Sequence, residues 1–163
     1  MEKEWESFKS IKGCMLMGIY AKALSMHQFK NELILHPVET ILEIRNPKSF
    51  EIKYWKLSWT ETTAGDDLLI VKEQDTPEPL QYESIDAPYQ KHIITGSSFF
   101  VQHNVIKKVS GYGFNNDGSR FLTSIILELE ESFISIQAGA AIEIRITSKK
   151  PKDFGNIIFA TTL

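Results

Sequence analysis

Between Phe121 and Thr147 apolar side chains fall on every second position. Ile125, Leu127 and Leu129 alternate with Ile126, Glu128 and Glu130, and Ile134 and Ile136 alternate with Ser135 and Gln137. A two-residue period is that of a β-strand, so the stretch predicts three consecutive antiparallel strands. A turn at Glu131 and Ser132 sets Leu129 opposite Ile134, Leu127 opposite Ile136 and Glu128 opposite Ser135. Only an even-length loop keeps the apolar row on one side, because a one-residue slip turns every side chain over. Glu-Ser lacks the Asn-Gly chemistry of the tightest hairpins, and a four-residue loop is expected to preserve the same register, so the loop type is open but the pairing is taken as fixed. The next turn, Ala138-Gly139-Ala140, offers a glycine for a positive φ and opposes Ile136 to Ile142 and Ile134 to Ile144. Eight Ile or Leu residues then share one face, each contributing roughly 1.5–3 kcal/mol on burial.

The same reading along the chain gives a mainly β protein. Met1 to Ser10 carries Trp5 and Phe8 three apart among charges, which fits a short amphipathic helix. Cys14 to Ala21 reads as a strand, whereas the following AKALSMHQF has helix-compatible composition. Strands are expected at Glu32–His36 and Thr40–Arg45, separated by Pro37. In Phe50 to Thr60 the apolar parity changes: Phe50, Ile52 and Tyr54 hold one side, Trp55, Leu57 and Trp59 the other. Either both faces of that strand are covered or a bulge near Tyr54 switches its inward side. Leu68–Lys72 is a further strand, and Glu73 to Tyr89, with three prolines, reads as a long irregular loop. His92–Thr95, Phe99–His103, Val105–Tyr112 and Asn156–Thr161 complete the set. The last, apolar on both faces, suggests a central strand or one docked against a second layer. Asn115-Asn116-Asp117-Gly118 is the strongest turn signal in the chain.

The expected architecture is therefore a single domain of about ten strands, a curled antiparallel sheet, sandwich or partly open barrel, with a short N-terminal helix. Leu42-Glu43-Ile44-Arg45 echoes Ile142-Glu143-Ile144-Arg145. Two related β units, 11–60 and 105–163, joined by the acidic Pro-rich segment 61–90, would account for the echo.

Composition adds limits more than chemistry. The single Cys14 excludes an internal disulfide, and the charged, non-hydrophobic Met1 to Ser10 does not read as a signal peptide, so a cytoplasmic location is expected. The longest apolar run, Cys14 to Ala21, is far below the roughly 20 residues a membrane helix needs. Net charge is −3 but unevenly spread: Glu61 to Asp86 holds eight acids against Lys72 alone. Acids at Asp66, Asp67, Glu73, Asp75 and Glu78 make this segment a candidate partner-binding surface for a basic protein or cation. Scattered lysines and an acidic balance disfavour nucleic-acid binding.

No phosphate-cradling loop, HExxH, CxxC or GxSxG pattern occurs, and none of His27, His36, His92 and His103 has a histidine two or four residues away. No catalytic residue, cofactor or metal is therefore assigned. The sequence favours a non-enzymatic protein acting through a protein-binding surface, by homodimerisation or by masking a partner as immunity proteins do. The alternative is a ligand-binding or hydrolytic barrel whose pocket is lined by Trp55, Trp59 and Tyr112, with His92 or His103 as its polar group.

Overall fold

The computed structural model describes residues 2–88, 90–152 and 154–162. One helix, α1 (Glu2–Lys9), precedes β1 (Met15–Ala21), β2 (Ala23–Phe29), β3 (Glu32–Val38), β4 (Thr40–Arg45), β5 (Ile52–Glu61) and β6 (Asp67–Gln74). Then come β7 (Tyr82–Ala87), β8 (Gln90–Ile94), β9 (Ser97–Phe99), β10 (Lys108–Asn116), β11 (Ser119–Glu128), β12 (Phe133–Ala138), β13 (Ile142–Thr147) and β14 (Asn156–Ala160). All strand pairs are antiparallel. A seven-stranded sheet runs β14-β10-β11-β12-β13-β3-β2, a five-stranded sheet runs β6-β5-β4-β1-β9, and β7-β8 form a separate hairpin. The inner faces of the two large sheets share one core, in which Leu42, Trp55 and Leu57 meet Ile125, Leu127, Ile134 and Ile136. It is a mainly β, sandwich-like fold and not a closed barrel. Fourteen strands are found among the described residues where about ten were expected, because several short ones lack a clean alternation.

The C-terminal ladder keeps its predicted apolar face but pairs two residues away from the tight-turn register. Leu127 lies opposite Ile134 and Ile125 opposite Ile136, across a four-residue loop closed by the Leu129 amide donating to the Ser132 carbonyl at 2.9 Å. A two-residue slide conserves the parity of every side chain, so hydrophobic pattern alone could not separate the two pairings. The next loop is Gly139 to Ala141, with Ile136 opposite Ile144 and Ile134 opposite Ile146. Gly139 has no positive φ there; its amide donates to the Ala141 carbonyl at 2.8 Å. The Asp117-Gly118 turn joins β10 to β11 as expected, both residues having positive φ (51° and 78°) as a two-residue hairpin of this hand requires.

The five-stranded sheet is covered on both sides, which explains the mixed parity of β5. Trp55 and Leu57 enter the main core, while Tyr54 and Ile52 join Ile41 and Leu80 in a second cluster on the outer face. No bulge interrupts β5 against either neighbour. The hairpin of β7 and β8 provides part of that outer cover. The expected irregular loop from Glu73 to Tyr89 is thus regular in part, with β6 extending to Gln74 and β7 spanning Tyr82–Ala87, while Tyr89 lies outside the described residues. Its solvent-facing polar side chains hid a strand whose inner neighbours come from elsewhere in the chain. Pro37 lies inside β3, opposite Leu24, and does not separate two strands. The strand expected at Phe99–His103 is Ser97–Phe99, and β14 is an edge strand and not a central one. Its inner side chain Phe159 stacks on Trp5, with centroids 6.1 Å apart.

The helix ties the two layers together. Phe8 meets Trp55 edge-on at 5.0 Å on one sheet, and Trp5 meets Phe159 on the other. Arg120 lies over the Trp5 ring and pairs with Glu2. The echoing segments fall in different sheets, β4 in the five-stranded one and β13 in the seven-stranded one. The residues of 11–60 divide between the sheets, whereas the strands of 105–163 all lie in one.

Candidate functional site

The five residues proposed to line a pocket are not brought together. Trp55 is 2% exposed in the main core, and His92 lies on the opposite face of the same sheet. Trp59 is 40% exposed near the end of β5. His103 stands on a surface loop between the carboxylates of Glu130 and Glu131, at 3.6 and 3.7 Å. Tyr112 belongs to the outer face of the seven-stranded sheet, its ring 5.9 Å from that of Phe154.

The acidic residues separate in the same way. Asp66 and Asp67 sit at the start of β6, Asp75 and Glu78 beyond its end. An eight-residue strand holds its ends about 23 Å apart at ~3.3 Å per residue. Glu73 lies on the strand itself, and Asp75 is engaged by the Lys53 ammonium at 2.7 Å. That ammonium holds the exposed Asp75 carboxyl below the usual range. A run of acids continuous in sequence is therefore two small groups in space.

His92 belongs instead to a buried polar cluster between the five-stranded sheet and the β7-β8 hairpin. Its Nδ1 is 2.9 Å from the Tyr54 hydroxyl, and the Tyr82 ring stands edge-on at 4.8 Å. On the same sheet face the Tyr20 hydroxyl hydrogen-bonds Glu43, which is only 7% exposed. Burial, opposed by Tyr20 and by Arg45, pushes the Glu43 carboxyl up, and burial with the Glu43 charge pushes both phenols up. Desolvation, helped by Lys91, lowers the His92 value, so the ring is neutral and shares a hydrogen bond with the Tyr54 hydroxyl at Nδ1. A histidine whose folded pKa is depressed contributes stability above its unfolded value and loses it as pH falls through the folded one. Acidification below about pH 6.5 should therefore lower the urea midpoint of the wild type more than that of His92→Gln, which cannot titrate. Parallel declines in the two proteins would remove His92 from the explanation.

What the fold leaves open is an edge. β2 pairs with β3 from Ala23 opposite Val38 to Phe29 opposite Glu32, and among the described residues no strand pairs with its other side, although β9 approaches it. Six of its seven residues are exposed, Leu24 being the exception. Met26, Phe29 and the neighbouring Val38 are 55%, 62% and 53% exposed, so three of the large exposed apolar residues lie on this one ribbon. Of its polar side chains, His27 is tied to the sheet next to it. The His27 and His36 rings are 5.7 Å apart, His36 is 3.8 Å from Glu143, and Arg145 bridges Glu143 and Glu32 at 3.0 and 2.8 Å. The other sheet edges differ. β6 contacts α1, β9 has three residues and β14 has five.

Sequence reasoning missed β2 because Ala, Leu, Met, His and Gln favour helix as readily as strand. The usable signal was its neighbour: a strongly alternating ELILH after Lys30-Asn31 needs a partner, and the hairpin supplies it. Comparison with protein-family models, curated proteins and solved structures finds no match. Among the described residues no helix is long and apolar enough to cross a membrane.

Proposed function

We propose that this chain is a non-enzymatic binding protein that works by strand addition at β2, and that the strand added is the β2 of a second copy. The observation that supports this reading is a seven-residue edge strand, exposed on both faces and bearing apolar side chains. Unpaired edge amides and carbonyls are a template for another strand, and proteins blunt such edges when they are not used. In an antiparallel pairing centred on Met26, the two Met26 side chains meet between the two Leu35, since Met26 already lies opposite Leu35. Phe29 of one copy then faces Ala23 of the other, beside Val38. Met26, Phe29 and Val38, all exposed in the monomer, each gain an apolar neighbour. Lys22 and Lys30 face each other only at the rim, where screened repulsion is weak. The pairing is two-fold and self-closing, so it gives a dimer and not a fibre.

Light scattering on a size-exclusion column should give a dimeric mass for the full chain and a monomeric mass for Met26→Lys. Both proteins should melt at similar temperatures once dilute, because Met26 is mostly exposed in the monomer. A monomeric wild type, or a dimer that survives Met26→Lys combined with Phe29→Lys, defeats the proposal. Masking of a basic partner by the acidic segment is the weaker reading, because its acids occupy opposite ends of β6.

A further inference from the structure

The connection from β13 to β14 runs between the fifth strand of the large sheet and its far edge, so it must cross β12, β11 and β10. It crosses their outer face. Thr147 donates to the Lys149 carbonyl at 2.7 Å to start the crossing, and Phe154 reaches Tyr112 on β10. A cover built only for stability would be expected to lie on apolar side chains, yet the face beneath is mostly polar. One cross-strand row reads Ser110, Ile126, Ser135, Arg145, and the next Tyr112, Ser124, Gln137, Glu143. Ser110, Ser124 and Ser135 are 5%, 1% and 2% exposed. The Ser124 hydroxyl has no hydrogen-bond partner among the described residues. Burying a hydroxyl without a partner is costly, so such a row is poor cover and good recognition surface.

Between this face and the crossing segment lies a cavity of about 500 Å³. Ser135 and Gln137 line its floor, and Lys149, Lys150 and Lys152 its roof. Arg145 also lines it, but its guanidinium is held by Glu32 and Glu143. The three lysines make no ion pair with a described residue. Lysine is a compact point charge suited to phosphate, and hydroxyl and amide groups complete its hydrogen bonds. The volume is that of a small-molecule site. We propose that this cavity binds a phosphorylated small molecule, its phosphate between the lysines and the Ser135 hydroxyl and Gln137 amide, its remaining part against Phe154. The cavity reaches the β2-β3 turn at Asn31 and Glu32, beside Phe29, but the proposed phosphate contacts lie on β12 and the crossing segment and do not depend on dimer formation.

The test is an amide NMR titration of the full chain with inorganic pyrophosphate and, separately, with adenosine monophosphate. Both should move the amides of Ser135, Gln137, Ser148, Lys149, Lys150 and Lys152, and the monophosphate should also move those flanking Phe154. Affinity should fall at least tenfold in Lys149→Gln/Lys150→Gln. Ser135→Ala should also weaken binding while leaving the melting temperature unchanged or higher, which a purely structural serine would not do. Absence of local shifts up to ~10 mM ligand, shifts spread over every lysine-bearing surface, or equal affinity in the lysine variant would overturn the assignment.

Discussion

Gly113→Ala is expected to cost at least ~3 kcal/mol, a large share of the roughly 5–15 kcal/mol by which a domain is ordinarily stable. Gly113 pairs with Leu122 where β10 and β11 pass through a bulge: Tyr112 lies opposite Ser124, and Thr123 is the unpaired extra residue. A methyl group built on Gly113 would overlap the Phe121 carbonyl oxygen and sit 3.2 Å from the Leu122 Cα. These are backbone atoms of the paired strand, so no rotamer change can clear them. The bulge would have to open, and with it the pairing that carries Leu122 and Ile125 into the core. Gly139→Ala is the contrast, because Gly139 has ordinary φ and its added methyl would approach nothing closer than the Ala141 oxygen at 3.5 Å. It should shift stability by less than about 1 kcal/mol. Urea titrations of both variants measure the difference. Equal, small effects would mean that the bulge does not have the close approach described.

Trp55→Ala should cost about 3–5 kcal/mol, whereas Trp59→Ala should cost about 1 kcal/mol or less. The two side chains share a strand face, but one is 2% and the other 40% exposed. Trp55 also receives the edge of Phe8, so its loss removes the main aromatic anchor of α1 on the five-stranded sheet. An eight-residue helix does not persist in water without tertiary contacts. Far-ultraviolet dichroism should therefore lose helical signal in Trp55→Ala at temperatures where the sheets still hold. If Trp55 lined an open ligand cavity instead of packing solidly, the two substitutions would cost similar amounts.

Much of the framework can be read from alternation and turn chemistry. The strands from Ile125 to Ile146, the Asp117-Gly118 hairpin and the Trp5/Phe8 helix each rest on local pattern and are all present, though the strands pair two residues from the expected partners. What local pattern cannot hold is the choice between registers of equal parity, which is why β11 and β12 pair two residues from the tight-turn expectation. Nor does it say what covers a face. The parity change in Phe50 to Thr60 has two readings until the β7-β8 hairpin is seen to lie over Tyr54, and Pro77, Pro79 and Pro88 disguised that hairpin as a loop. The candidate residues fared similarly. Trp55 and His92 are both buried, but on opposite sides of one sheet, and closeness of Asp67 and Asp75 in sequence became a strand's length in space. The open β2 edge and the buried serine rows depend on strand order, and strand order is set by contacts between distant parts of the chain.

One edge of the strand Ala23–Phe29 pairs with no other strand among the described residues, and amide hydrogen exchange of that strand against protein concentration tests the proposed dimer most directly. In a dimer joined through β2, the alternate amides that point away from β3 become protected at high concentration and exchange freely on dilution, while those bonded to β3 change little. Protection that is the same at every concentration, or that changes on β6 or β14 and not on β2, would contradict it.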